Sequence, residues 1–344
     1  VIDVLPRDAA GRVRFLPPKG FTSWPPVADW TEVHWSSWMR QRGYSAEEIA
    51  NYLDYERFRF GVGFTATGAQ ATPQNAYDHH VRWLYKPTPK GVTLHATRDS
   101  GVPNILWGGA VGGAKSMTAR WEAIAECLFS GSDHYRAIVI RRELEELRRT
   151  HMDAIDGEAV KLCEALGDPK AIKVTSQPPV ATFLHTGAKI LFGFAASPGD
   201  ERRYMSEQYD VFLGDEASLL QWNQIVGIAG RLRNDPKLNR VPRMILTTNP
   251  GGPSHQACVD HFITKSISLD VNPLYRGEDY LYIRSQLYDN MHLMSRAGDF
   301  GDYEKRLYAY EPERRAQLLE GDWSAIVDQH FTAFDPALHV RAIA

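Results

Sequence analysis

The sequence predicts an α/β domain: a mostly parallel central sheet with helices on both faces. Three observations carry that prediction. From about Pro103, apolar runs of four to six residues alternate with helical patterns, as in sheets buried on both sides. A glycine-rich turn follows the first run and opens a helix, and a later run ends in two adjacent carboxylates.

The elements follow in order. Residues 1–95 are rich in Pro, Trp and Tyr and show no strand–helix alternation, so they read as an N-terminal appendage. One helix is signalled there: Ser45 and Glu48 form a capping box, and Ile49, Tyr52, Leu53 and Phe58 follow at helical spacing. The expected strands are Asn104–Trp107, Ala137–Ile140, Lys189–Phe194, Asp210–Gly214 and Arg243–Thr247. Lys115–Phe129 puts Trp121, Ile124, Ala125 and Leu128 on one helical face. After Pro273 the pattern reads as helical over Tyr280–Leu287 and Tyr303–Leu319. The expected division is appendage 1–95, core 96–272, and a helical lid or linker over 273–344.

Composition narrows the function. The 344 residues carry 39 Lys and Arg against 42 Asp and Glu, a net charge of -3, so no global basic field advertises nucleic acid. DNA contacts would have to come from local patches or several subunits. Three scattered cysteines, Cys127, Cys163 and Cys258, exclude a disulfide scaffold or zinc finger as the organising device and fit a reducing cytosol. No apolar run approaches a membrane span and the N-terminus lacks the basic-then-apolar layout of a signal peptide, so a soluble intracellular protein is expected. The chain opens on Val1, from which a preceding segment is expected.

Gly108-Gly-Ala-Val-Gly-Gly-Ala-Lys-Ser116 sits between a strand and a helix, the layout of a Walker A phosphate loop. The glycines let backbone N–H groups curl round a phosphate, and the helix N-terminus adds positive potential. Gly109, Gly112, Gly113, Ala114, Lys115, Ser116 and Met117 are the expected nucleotide-binding residues. Lys115 would reach the β- and γ-phosphates of ATP, and the Ser116 hydroxyl would ligate magnesium. Alanine replaces the usual glycine at position 114, which requires that residue to keep a negative φ.

Val211-Phe-Leu-Gly-Asp-Glu216 reads as a Walker B strand: Asp215 for the magnesium shell, Glu216 to orient and polarise the attacking water. Met244-Ile-Leu-Thr-Thr-Asn-Pro-Gly-Gly252 is a further apolar run. Its Thr247, Thr248 and Asn249 would stand at the carboxyl end of a neighbouring strand, where such sheets bind ligands. The fold expected from these motifs together is a P-loop NTPase of the ASCE type.

In this order, with Leu319-Glu-Gly-Asp-Trp323 closing the series, the motifs resemble the large terminase subunit of tailed bacteriophages over roughly Tyr85 to His339. The resemblance implies an ATPase motor that drives double-stranded DNA into a procapsid. Lys115, Ser116, Asp215 and Glu216 would be its nucleotide site, and Thr247, Thr248 and Asn249 a coupling motif. It also implies a homo-oligomeric ring on a portal protein, a small terminase subunit as partner, and work in the host cytoplasm. Arg202 or Arg203, just ahead of the acidic strand, would complete a neighbour's site in trans. The glutamine that reads adenine in many such subunits has no counterpart in Pro89-Lys-Gly-Val92. The nuclease domain of the family would begin about where this chain stops, so no nuclease activity is expected from these residues.

The competing readings are a helicase, a nucleotide-dependent scaffold and a small-molecule kinase. About a hundred residues follow Gly252, too few for a helicase's second domain, and a scaffold has no need of Glu216. Among weaker signals, Arg141 and Arg142 stand near a strand end, within reach of nucleotide or a neighbour. Arg148 and Arg149 read as a solvated helix face. The basic stretch from Arg231 to Arg243, with Arg233 and Lys237, is a candidate DNA-phosphate loop. Asp78, His79 and His80 lack a third ligand at metal spacing.

Overall fold

Strands that are apolar at every position bury both faces and belong in the middle of a sheet. In the computed structural model, which describes residues 13–59, 87–129, 132–166, 168–233 and 241–324 with Pro6, Ala9 and Tyr85, they are found there. β1 (Asn104–Gly109) and β2 (Arg136–Arg141) are buried beyond their first residue. β3 (Ile172–Ser176), β4 (Pro179–Phe183) and β5 (Lys189–Phe194) follow. β6 (Val211–Asp215) and β7 (Arg243–Thr248) are buried throughout, and β8 (Tyr280–Ser285) is half-buried. The eight strands form one sheet in the order β3-β4-β5-β2-β6-β7-β1-β8. All pairs from β5 to β8 are parallel, and β4 runs antiparallel to both its neighbours.

Alternate side chains feed two cores. Ile105, Trp107, Val139, Leu213 and Ile245 point to one face. There they meet Ile124 and Leu128 of a helix over Lys115–Phe129 and Leu162 of another over Asp153–Leu166. Leu106, Ile138, Phe212 and Leu246 point to the other, against Ile225 and Ile228 of Trp222–Ala229 and against Phe262. A third cluster joins an N-terminal segment to a C-terminal one. Trp24, Trp30, Trp35 and Trp38 pack with Leu287, Met291, Phe300, Leu318 and Leu319. The capping box of the second helix, Ala46–Arg59, is formed: Ser45 N–H donates to Glu48 Oε2 at 2.8 Å and Glu48 N–H to Ser45 Oγ at 3.1 Å.

Two expectations are corrected. In place of the helix expected over Tyr280–Leu287 stands the edge strand β8, Tyr280–Ser285. Its residues alternate, Leu281 and Ile283 against one core and Tyr280 and Tyr282 against the other, so period 2 is the governing pattern. Arg243 belongs to no solvent-facing loop. It is the first residue of β7, 3% exposed, with its guanidinium 2.5 Å from the buried Glu122. Burial opposes the charge on Glu122, and Arg98, at 2.8 Å, together with Arg243 outweighs it, holding the carboxyl well below its usual range. Arg231 and Arg233 are directed to backbone carbonyls at the surface. Lys237 lies outside the described residues, as do Asp78, His79 and His80. No helix among the described residues is long and apolar enough to cross a membrane.

Candidate nucleotide site

Parallel pairing sets the strand ends level. Asp215 is in register with Thr247, which is in register with Trp107, and Gly108 with Thr248. The turn after β1 (residues 110–114) and the start of the Lys115–Phe129 helix therefore face Asp215, Glu216 and residues 247–249 across a cleft of about 310 Å³.

Lys115 lies in the cleft floor, and its Nζ donates to the Ala110 carbonyl and, at 2.9 Å, to Asn249 Oδ1. Burial pulls its ammonium down to about 8, against the pull of Asp215, Asp289 and Glu216 in the other direction. Asp215 collects donors: its Oδ1 accepts from Ser116 Oγ at 2.7 Å and Thr247 Oγ1 at 2.5 Å. Its Oδ2 lies 2.9 Å from His151 Nε2 and 3.4 Å from Arg141 Nη1. Burial works to raise this carboxyl, and the bonds from His151 and Thr247 with the Arg141 charge outweigh it, keeping it ionised far below the ordinary range. Glu216 is one-third exposed and is held by Arg141 Nη2 at 2.5 Å.

Of the residues expected from sequence, Gly112, Gly113, Ala114, Lys115, Ser116, Met117, Asp215, Glu216, Thr247, Thr248 and Asn249 all line this cleft. Gly109 ends β1 immediately before it. Thr248 Oγ1 is engaged with Ser218 Oγ at 2.7 Å, so Thr247 and Asn249 are the two of the trio that reach the acidic residue and the lysine. Ala114 departs from expectation: its φ is +61°, the left-handed conformation that alanine disfavours. The turn demands it because Ala114 must swing the chain from loop to helix, where its carbonyl takes the N–H of Thr118. Arg202 and Arg203 lie on a surface 3-10 turn, Asp200–Tyr204, outside the cleft. Arg203 pairs with Asp200 at 2.9 Å and covers the Phe194 ring, while Arg202 is exposed.

Reading the sequence missed His151, which the π-turn Arg148–Met152 sets against Asp215, and Arg120 behind it, bonded to the Thr150 carbonyl and facing the ring. His151 follows two arginines read as a solvated helix face and Arg120 lies in the Lys115–Phe129 helix, so no motif marks either. Asp322-Trp323 reads from the sequence as a packing anchor closing this region, and the structure shows what it anchors. Val111 N–H donates to Leu318 O at 2.8 Å, a Cβ on Gly321 would lie 2.5 Å from Ala110 N, and one on Gly108 would strike the Trp323 ring at 2.6 Å. Trp323 in turn stacks on His255 and donates to Tyr282 Oη at 3.0 Å. The phosphate loop is thus clasped from behind by residues 318–323.

The donor set fits a magnesium ion. Ser116 Oγ and an ionised Asp215 oxygen converge, both hard oxygen donors, and no cluster of three or more His, Cys, Asp or Glu with ligand geometry occurs among the described residues. One carboxylate plus phosphate oxygens is how that ion is usually held.

No family model and no curated protein matches the chain. Among solved structures, the large terminase of a thermophilic bacteriophage superposes with a TM-score of 0.51 at 14% identity, over 70% of this chain and 54% of its own. The chain therefore spans about half the length of that protein. The ATPase domain of a Thermus phage large terminase (TM-score 0.46, 13% identity, 70% of this chain and 94% of that one) is also similar. So is the large terminase of bacteriophage HK97 (TM-score 0.47, 11% identity, 68% and 49%). The fold of this chain is that of the P-loop α/β domain of phage large terminases.

Proposed function

We propose that this chain is the ATPase portion of a phage large terminase, a motor subunit that hydrolyses ATP to move double-stranded DNA into a procapsid. The observation that carries the reading is the convergence of Lys115, Ser116, Asp215, Glu216, Thr247 and Asn249 on one cleft at the carboxyl ends of β1, β6 and β7. Lys115, freed from Ala110 and Asn249, would bind the β- and γ-phosphate oxygens, and the turn after β1 would present its N–H groups to them. Ser116 and Asp215 would hold magnesium, which supplies charge neutralisation on the phosphates when bound. Glu216, released from Arg141, would orient the attacking water and take its proton. Thr247 and Asn249 contact Asp215 and Lys115, so a change at the phosphates is felt on β7, which supports their coupling role.

In this reading the subunits form a ring on a portal, with a small terminase subunit as a further partner in the host cytoplasm. The exposed Arg202, or its neighbour Arg203, acts on the adjacent subunit's nucleotide. Residues 1–95 flank the ATPase core, which the expected bounds 96–272 cut short, since β8 over Tyr280–Ser285 belongs to its sheet.

The test is phosphate release with and without duplex DNA. Wild type is expected to release free phosphate and to be stimulated by the duplex. Lys115→Ala should lose nucleotide binding, and Glu216→Gln should retain ATP and lose turnover. Mixing Lys115→Ala subunits with the Arg202→Ala, Arg203→Ala double variant should restore part of the activity if the arginine acts in trans. Equal phosphate release by wild type and Glu216→Gln would sink the assignment, and a phosphorylated acceptor in place of free phosphate would make the chain a kinase.

A further inference from the structure

Between β2 and the Asp153–Leu166 helix the chain forms a widened turn, the π-helical segment Arg148–Met152, which lies against the Asp215 end of β6. Such single π-turns concentrate at functional sites. Two consecutive residues of it serve the acidic pair. Thr150 Oγ1 accepts from Arg141 Nη1 at 2.5 Å, and Arg141 bridges Asp215 and Glu216. His151, 1% exposed, sets Nε2 against Asp215 Oδ2 at 2.9 Å.

The ring is fixed from its other side. Arg120 Nη1 stands 3.5 Å from His151 Nδ1, and Arg120 is itself locked by the two oxygens of Glu158 at 2.8 and 2.7 Å and by the Thr150 carbonyl at 3.0 Å. A guanidinium only donates, so the Nδ1 facing it is the acceptor and Nε2 carries the hydrogen that goes to Asp215. The line Glu158–Arg120–His151–Asp215 therefore ends on Oδ2. That leaves Oδ1, which also accepts from Thr247, as the oxygen beside Ser116.

We propose that His151 is a positioning residue that holds the Asp215 carboxylate in the orientation needed to bind a divalent cation at Ser116 and Asp215. The proposal rests on the magnesium-nucleotide reading given above. Outer partners of this kind orient a ligand without touching the metal, and their loss lowers metal affinity about 10- to 100-fold. A purely space-filling histidine would leave metal affinity alone.

The experiment follows binding of a fluorescent ADP analogue to the full chain as Mg2+ is titrated, alongside Mn2+ binding by electron paramagnetic resonance. Neither readout needs turnover. His151→Ala should raise the half-saturating Mg2+ and Mn2+ concentrations about 10- to 100-fold while metal-free ADP affinity stays within about twofold. His151→Gln, which keeps an N–H donor, should recover most of the loss. His151→Phe, which keeps a ring and removes the donor, should behave like His151→Ala and serves if the alanine variant does not fold. Folded His151→Ala or His151→Phe with wild-type Mg2+ dependence would overturn the proposal. Wild-type ADP binding that ignores Mg2+ altogether would instead overturn the magnesium reading, and the two failures cannot be confused.

Discussion

A single methyl group shows how the loop manages a left-handed residue without glycine. At Ala114 the Cβ of a residue with φ near +61° crowds its own backbone, at a cost of roughly 1–2 kcal/mol. The surroundings hold it there: Ala110 N–H donates to Ser285 O at 2.8 Å, Val111 N–H to Leu318 O, and Asn290 Nδ2 to Gly112 O at 2.5 Å. A loop anchored at three points cannot relax to relieve one strained torsion. Ala114→Gly removes the crowding and adds back some unfolded-state freedom, so the net expectation is a gain of about 0.5–1 kcal/mol. In a chain of this size that raises Tm by roughly 2 °C. Thermal melts of the nucleotide-free proteins decide it: an unchanged or lower Tm would mean that the methyl group packs to more effect than its torsion costs. Glu216 shares the left-handed conformation at φ +52°, and there the strain turns its carboxylate to Arg141 at the cleft mouth.

At the scale of elements, what could be read in advance followed from local pattern, and what could not followed from tertiary partners. The five core strands and the helix from Lys115 to Phe129 were legible because apolar runs and a 3.6-residue stripe are local properties. β8 was misread since Tyr280, Leu281, Tyr282 and Ile283 are apolar on both faces, and only pairing with β1 selects period 2. The hairpin β3–β4 went unseen because its short strands are largely half-exposed, and its pairing is what defines it. The same distinction runs through the site: Lys115, Ser116, Asp215 and Glu216 announce themselves by motif, whereas His151 matters through a turn no motif encodes. Gly321 belongs to the second group. Its φ is +66°, and the atoms a Cβ would meet are the backbone of Gly109 and Ala110, which cannot step aside as a side chain would. Gly321→Ala should push the phosphate loop towards the cleft and weaken ADP binding at least tenfold, with the far-ultraviolet circular dichroism unchanged. Calorimetric titration checks it, and an unaltered affinity would show that the 318–323 clasp carries no strain to the loop.

Beyond the sheet, the molecule is tied together by a cluster that joins N-terminal and C-terminal segments. Trp24, Trp30, Trp35 and Trp38 are each 2% exposed or less, and they are buried against Leu287, Met291, Phe300 and Leu318. Arg42 adds an ion pair to Asp289 at 2.5 Å, both side chains almost wholly buried. Those same downstream segments support the phosphate loop: Leu287 and Leu293 lie about 3 Å from where a Cβ on Gly112 would be, and Leu318 receives the Val111 N–H. The N-terminal layer thus stabilises the nucleotide site at one remove, through residues 287–319. Removing residues 1–86 would uncover several large aromatic contacts, each about 150–250 Å² of side chain, and leave Asp289 buried without its arginine. An exposed apolar patch of that extent drives association. The shortened chain is therefore expected to aggregate or to melt well below the intact protein, and any soluble fraction should bind ADP more weakly, since the anchors behind Gly112 and Val111 would have lost their packing. Size-exclusion chromatography, thermal melts and ADP titration on the two forms measure this. A monomeric shortened chain with the intact protein's Tm and ADP affinity would show that the phosphate loop stands without the N-terminal layer.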